Sequence, residues 1–151
     1  MGTIEFELER TINAPIDRVF ARLADIDGHN DWMPARGSIM KGTEKTSPGE
    51  PGVGTTYLDR TTVGDTPGEI VEYEPPHTLV YHWWDKTPSG RAKVEGWPGY
   101  ALRAGDEGTT IVRHHARMQT YGRYRLAAPF LRWLAVRERT ATLNALERSF
   151  A

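Results

Sequence analysis

The chain has 151 residues, 19 of them lysine or arginine and 20 aspartate or glutamate, and it contains no cysteine. Such a nearly neutral chain, without long blocks of like charge, is a poor match for nucleic acid or for a polybasic membrane anchor, and the lack of cysteine excludes disulfides and thiolate metal sites. Its length predicts one domain over residues 1–151, and its opening residues resemble neither a signal peptide nor a transmembrane segment, which favours a cytoplasmic protein.

The N-terminal part predicts a strand followed by two short helices. In TIEFELERTI, three apolar residues alternate with glutamates, which is the period of a half-buried strand. NAPIDRVFARLADID then changes to helical spacing, with Pro15 suited to the first helical position and an end expected near Asp25. A second helical turn in GHNDWMP would let Trp32 close one end of the core before Pro34.

The middle of the chain predicts a consecutive antiparallel meander, because segments rich in Val, Ile, Thr, Tyr and Trp alternate with turns rich in Gly and Pro. Six strands are expected near 37–44, 53–63, 68–74, 78–86, 91–103 and 109–119. The segment WPGY, residues 97–100, places proline and glycine inside a strand, which predicts a bulge or an edge position.

The tail from Tyr121 to Phe150 is the only long helical candidate, and Pro129 should kink it or mark a break. Its apolar residues are expected near one stripe: Leu126, Phe130, Trp133, Leu134, Leu143, Leu146 and Phe150. Strands followed by a helix predict an α+β domain, in which a curved sheet grips the helix and encloses a candidate cavity.

Three blocks of the sequence resemble one known family. They are INAPIDRVFARLADIDGHNDWMP, GEIVEYEPPHTLVYHW and EGTTIVRHHARMQTYGRYRLAAPFLRWLAVRERTATLNALERSF. Their order and residue patterns resemble the START-like SRPBCC superfamily, and within it the polyketide cyclase/dehydrase-like branch. The resemblance covers essentially the whole chain. It includes the A-P-x-x-x-V-F helix start, the Pro-Pro turn before a strand, and the Gly-Thr strand entry before the last helix.

The resemblance implies a helix-grip fold, in which a seven-stranded antiparallel sheet wraps around the C-terminal helix and two short helices close one end. Members commonly enclose a hydrophobic cavity for lipids, sterols, polyketides or other apolar molecules, and some catalyse cyclisation or dehydration there. The superfamily has no universal catalytic motif, so the resemblance transfers no catalytic residue, and fold alone does not decide function.

The two adjacent histidines in TTIVRHHARMQT should not form one site, because neighbouring side chains of a strand point to opposite faces. The more apolar face carries His114, which predicts that His114 points inward and that Arg113 and His115 point to solvent. The pattern leaves the reverse orientation open. The five histidines show no HxH or HExxH spacing, so neither a metal site nor a cofactor is expected.

The strongest functional signal is the aromatic density of the central strands, which indicates core packing or an aromatic cavity wall. The candidate ligand-binding residues are Tyr57, Asp59, Tyr81, His82, Trp83, Trp97, Arg113, His114, Met118, Phe130 and Trp133. The leading hypothesis is binding of a small apolar or aromatic molecule, such as a lipid or polyketide.

Two other functions remain open. One is a cyclase or dehydratase in which a histidine acts as acid or base and an arginine or tyrosine stabilises an enolate. The other is a protein-interaction module, a homodimer included, that uses exposed Trp84, Trp97, Phe130 or Trp133.

Overall fold

The computed structural model describes residues 2–34 and 37–151, in the order strand, two helices, six strands and a long helix. The elements are β1 (Gly2–Ile12), α1 (Ile16–Ala24), α2 (His29–Trp32), β2 (Met40–Lys45), β3 (Thr56–Thr61), β4 (Gly64–Glu74), β5 (Thr78–Lys86), β6 (Ala92–Ala104), β7 (Thr110–Thr120) and α3 (Ala128–Ser149). Short 3-10 segments lie at Asp106–Gly108 and Gly122–Ala127. The predicted order of elements is confirmed.

All seven strands form one antiparallel sheet with the order β1-β7-β6-β5-β4-β3-β2. Strands β2 to β7 pair with their neighbours in the chain, as the predicted meander requires, and β1 pairs with β7. With α3 packed against the sheet, this is the α+β helix-grip fold that the resemblance implies. No helix within the described ranges is long and apolar enough to cross a membrane.

The WPGY segment lies inside β6, between β5 and β7, so the predicted bulge or edge position is wrong. Pairing with β7 keeps one register through the whole segment. On the other side, Val80 pairs with Gly99 and Trp83 with Gly96, which is the same register before and after Pro98. A proline removes one N–H donor from the ladder without requiring an extra residue, so the strand continues.

Two prolines stand at helix starts. Pro15 is the N-cap residue of α1, one position before the first helical position that was predicted for it. Pro129 lies in the first turn of α3 and separates it from the 3-10 segment, which confirms the predicted break. Proline suits both places because the first N–H groups of a helix have no partner within it.

The main core lies between the inner face of the sheet, α1 and the C-terminal half of α3. Leu143 and Leu146 are fully buried there, and Trp32 packs against this cluster as predicted. The expected stripe fails in the N-terminal half, where Phe130 and Trp133 are both 59% exposed and Leu126 is 87% exposed. Phe130 precedes Leu143 by about 3.6 turns of helix, so the two residues face nearly opposite sides.

Candidate functional site

A cavity of about 290 Å³ lies between the sheet and α3. Its wall is largely apolar and aromatic, with a few charged groups. The lining includes Tyr57, Asp59, Tyr81, Trp83, Trp97, Tyr100, Met118, Leu131, Leu134, Glu138 and Arg139. Val63, in the turn between β3 and β4, also borders the cavity and is 84% exposed, which places it at the mouth.

Two glycines make room for aromatic rings in this wall. Gly68 pairs with Tyr57 across β3 and β4, and a Cβ at Gly68 would collide with the phenol ring. Gly96 pairs with Trp83 across β5 and β6, and its Cβ would lie 2.6 Å from the indole. Both rings therefore lie flat on the neighbouring strand, and the space between sheet and helix remains open.

Arg139 reaches the cavity from α3 and is held in place by a buried histidine. Its Nε donates to His114 Nε2 at 2.9 Å, and its Nη2 donates to the Tyr100 hydroxyl at 2.6 Å. The Tyr100 ring stacks on the imidazole with 4.4 Å between ring centres. Two hydrogen bonds and a stacked pair thus fix the direction of the guanidinium.

The hydrogen bonds also determine the protonation of His114. Its Nε2 accepts from Arg139, so the proton lies on Nδ1, which donates to the Gly99 carbonyl at 2.8 Å. Burial and the positive charge of Arg139 lower the pKa of His114 well below its usual value of 6.5. The imidazole is therefore neutral, and because both nitrogens are engaged it positions Arg139 rather than exchanging protons with a ligand.

The predicted alternation of β7 is confirmed. His114 is fully buried, whereas Arg113 and His115 are exposed on the outer face. There Arg113 lies 3.9 Å from Glu9, and His115 lies 3.5 Å from Glu5. The arginine that contacts the buried His114 is Arg139 of α3, and not an arginine of β7.

Tyr81 and His29 converge on the end of α1. The Tyr81 hydroxyl lies 2.6 Å from the Leu23 carbonyl, and His29 Nε2 lies 2.8 Å from the same oxygen. Carbonyls in the last turn of a helix lack partners within it, so these side chains cap α1. Burial lowers the pKa of His29 and raises the pKa of Tyr81 well above its usual range, which keeps both groups neutral.

Asp59 is a half-buried carboxyl in the β3 part of the cavity wall. Its partial burial raises its pKa, while the Thr43 hydroxyl and the positive charge of Arg139 act in the opposite direction. A carboxyl with a raised pKa is better suited to proton transfer than an ordinary surface carboxylate. Of the groups on the cavity wall, Asp59 best meets the requirements of an acid or base.

Glu138 fastens the segment before β2 to α3. Its Oε2 accepts a hydrogen bond from the Ser38 hydroxyl at 2.8 Å, and its Oε1 accepts one from the Ile39 backbone N–H at 2.7 Å. Ile39 and Met40 both line the cavity. The two hydrogen bonds therefore form a clasp beside the cavity, defined here as Glu138 with Ser38 and Ile39.

Six of the candidate ligand-binding residues border the cavity: Tyr57, Asp59, Tyr81, Trp83, Trp97 and Met118. His114 lies behind the wall and contacts it through Arg139. Four candidates lie elsewhere, which corrects their predicted place: His82, Arg113, Phe130 and Trp133. His82 is on the outer face, 2.7 Å from Glu95, and it stacks on the Trp97 ring, so Trp97 borders the cavity without turning its ring into it. Phe130 and Trp133 occupy the solvent side of α3.

The sequence prediction missed Arg139, Tyr100, His29 and Glu138 as wall residues. For Arg139 a signal was present, because it precedes Leu143 and Leu146 by four and seven residues and therefore shares their helical face. For Glu138 none was, since its partners lie about a hundred residues away in the chain. Within the described residues, no group of three or more His, Asp or Glu side chains could hold a metal ion.

A family model described as polyketide cyclase / dehydrase and lipid transport matches residues 3–151. No curated protein matches the sequence significantly. Among solved structures, the Zhui aromatase/cyclase of Streptomyces sp. R1128 is 18% identical, with a TM-score of 0.79 over 98% of this chain and 93% of that one.

Two further structures have the same fold. A START superfamily protein of Mycobacterium smegmatis is 12% identical, with a TM-score of 0.73 over 99% of this chain and 97% of that one. The di-domain ARO/CYC StfQ of the steffimycin biosynthetic pathway is 13% identical, with a TM-score of 0.72 over 99% of this chain and 50% of that one. At these identities the likeness concerns the fold alone.

Proposed function

Because the chain belongs to the polyketide cyclase / dehydrase and lipid transport family, we propose that it binds a small aromatic molecule with an anionic oxygen in the cavity. The observation that carries the proposal is the Arg139 guanidinium, fixed by His114 and Tyr100 within a largely apolar wall. A guanidinium fixed in apolar surroundings favours a carboxylate, enolate or phenolate, because charge-assisted hydrogen bonds are strong there.

The size and shape of the cavity support a compact ligand. Its volume of about 290 Å³ lies at the lower limit of ligand pockets. A cavity near this limit suits a ligand with one ring or two fused rings. The rings of Tyr57, Tyr81 and Trp83 offer edges and faces against which such a ligand can pack.

The binding test compares three ligands of one shape by calorimetry: a naphthalene carboxylate, the corresponding neutral alcohol and the corresponding ammonium. A charge-assisted hydrogen bond contributes about 1.5–3 kcal/mol, so the carboxylate should bind about 10- to 100-fold more tightly than the alcohol. Arg139→Gln should remove this preference. Arg137→Gln, an exposed arginine of the same helix, is the matched control and should retain it. Equal affinity for carboxylate and alcohol, or no binding of any of the three, would contradict the proposal.

A second function, catalysis of aldol-type cyclisation or dehydration, is supported by Asp59. Its half-buried carboxyl lies in the same wall as Arg139, and its partial burial raises its pKa. Asp59 would take a proton from the carbon next to a carbonyl, while Arg139 and the Tyr100 hydroxyl would stabilise the enolate oxygen. His82 and His115 lie on the outer face, so the histidine acid or base of the original hypothesis is replaced by Asp59.

This second function is tested by incubating the protein with a short poly-β-ketone and measuring the cyclised or dehydrated product by absorbance and mass spectrometry. Asp59→Asn should abolish product formation while the same compound still binds. Asp85→Asn removes another carboxylate of the wall, which lies 3.6 Å from Lys93, and should leave turnover unchanged. Turnover that survives in Asp59→Asn would rule out this role.

A further inference from the structure

The solvent side of the N-terminal half of α3 carries an apolar surface next to the cavity. Phe130 and Trp133 are each 59% exposed and stack with 6.0 Å between ring centres, and Leu126, in the 3-10 segment just before α3, is 87% exposed. We define Leu126, Phe130 and Trp133 as the apolar patch. Two stacked rings on the solvent side of α3, with a third large apolar side chain exposed just before the helix, indicate a surface that is covered by something else.

The charge around the patch is one-sided, although the whole chain is nearly neutral. Between Tyr121 and Glu138 the sequence contains four arginines and no carboxylate: Arg123, Arg125, Arg132 and Arg137. Arg123 and Arg125 are exposed just before the patch, and Arg137 lies over the Trp133 ring with its Cζ 5.9 Å from the ring centre. Glu138 is nearly buried and is engaged by Ser38 and Ile39.

The patch adjoins the cavity. Leu131 and Leu134 immediately follow Phe130 and Trp133 in α3, and both line the cavity. Val63 adds a further exposed apolar side chain at the mouth. The exposed glutamates of the neighbouring β1 lie on the outer face of the sheet, where Glu5 and Glu9 pair with His115 and Arg113.

We propose that the apolar patch docks this protein on an anionic phospholipid bilayer, with Leu126, Phe130 and Trp133 in the interface and the arginines against the lipid headgroups. Trp, Phe and Leu on one side of a helix with arginines beside them are the composition of interfacial helices. The negative headgroups complement the four arginines of this segment, of which, among the described residues, only Arg137 has a carboxylate within 4.0 Å, that of Glu138. Docking would bring the cavity mouth to the membrane surface, independently of which ligand the cavity takes.

The test is co-sedimentation of the whole chain with vesicles of phosphatidylcholine alone and of phosphatidylcholine mixed with phosphatidylglycerol. We expect binding to the anionic vesicles, weaker binding to the neutral ones, and a loss of affinity as salt is raised. Each arginine near such a surface strengthens binding about fivefold, so Arg123→Gln with Arg125→Gln should weaken it by about 25-fold. Arg148→Gln, at the other end of α3, should leave it unchanged.

The apolar part is tested by Phe130→Ser with Trp133→Ser, which should lower vesicle affinity at least about tenfold. Val53→Ser is the matched control, because Val53 is 70% exposed and does not border the cavity. Melting curves of all variants should coincide with the parent, since the changed side chains are exposed. The proposal is overturned if the chain does not bind anionic vesicles or binds them equally after both serine substitutions. It is also overturned if the parent protein is a homodimer that does not bind vesicles and the serine substitutions convert it to a monomer. The patch would then be a dimer interface.

Discussion

Replacing His114 by glutamine should change how the stability of the protein depends on pH. Glutamine keeps one donor and one acceptor for Gly99 and Arg139 but does not titrate. In the folded protein the pKa of His114 lies well below 6.5, whereas in the unfolded chain it returns to that value. Below pH 6.5 the unfolded chain therefore binds a proton that the folded protein does not, and the stability due to His114 is lost as the pH falls.

The size of the effect follows from the proton balance. One pKa unit corresponds to 1.36 kcal/mol, so lowering the pH from about 7.5 to about 5.5 should remove about 1.4 kcal/mol through His114 alone. For a chain of this length that is about 3–6 °C in Tm. The sign is a loss at acidic pH, because the unfolded chain gains the proton first. His29, also buried with a lowered pKa, contributes in the same direction in the parent and the variant.

The assay is urea unfolding of the parent and of His114→Gln at a series of pH values. The difference in free energy of unfolding between the two proteins should shrink by about 1.4 kcal/mol between about pH 7.5 and about pH 5.5. His115→Gln, the exposed neighbour on the opposite face, is the control and should follow the parent. Parallel curves for the parent and His114→Gln would refute the assignment of a buried neutral imidazole.

Two further predictions concern packing. Gly96→Ala should lower the free energy of unfolding by about 1–3 kcal/mol and shift tryptophan fluorescence, because the new Cβ displaces the Trp83 indole. Gly52→Ala is the control, because a Cβ at Gly52 would have nothing within 4 Å. Equal stability of the two variants would contradict the tight fit at Gly96. Leu143→Ala should cost about 2–5 kcal/mol in thermal or urea unfolding, because Leu143 is fully buried. Leu126→Ala should cost almost nothing because Leu126 is 87% exposed, and comparable losses in the two leucine variants would contradict this contrast in burial.

The faces of the strands were predictable because their period is two. In β7 a shift of one position would turn every side chain to the other face. The apolar residues Val112, Ala116 and Met118 must face the core, so His114, which alternates with them, faces the core as well. The bulge or edge position predicted at Pro98 of β6 was wrong because it relied on a local rule. Local rules penalise proline in a central strand, whereas the sheet as a whole tolerates one missing donor at Pro98.

The stripe of the C-terminal helix was predicted less well than the strand faces. Phe130 lies 13 residues before Leu143, about 3.6 turns, so an α-helix places the two residues on nearly opposite sides wherever it begins. Leu126 is a separate case, because it lies in the 3-10 segment before α3, which has about three residues per turn. Leu126, Phe130 and Trp133 are apolar although they are exposed. In the sequence they therefore look like core residues.

The wall of the cavity was predicted only where it belongs to strands, although the spacing of Arg139 to Leu143 and Leu146 also carried a signal. Tyr57, Tyr81 and Trp83 were found from their alternation within β3 and β5. Arg139 and Glu138 come from α3, and their positions depend on the rotation of that helix against the sheet. This rotation is set by long-range packing, since the partners of Glu138 belong to a segment near the N-terminal third of the chain.

The Glu138 clasp has a kinetic consequence. A ligand that enters beside Ile39 must wait for the carboxylate to release both the Ser38 hydroxyl and the Ile39 N–H. Hydrogen bonds to a charged group contribute about 1.5–3 kcal/mol each, so the released state should hold only about one molecule in 10² to 10⁴ at any moment. If a ligand exchanges through this segment, association and dissociation are slowed by the same factor, which leaves affinity unchanged and lengthens residence time. The clasp would then set the rate of exchange, while the wall around Arg139 sets the affinity.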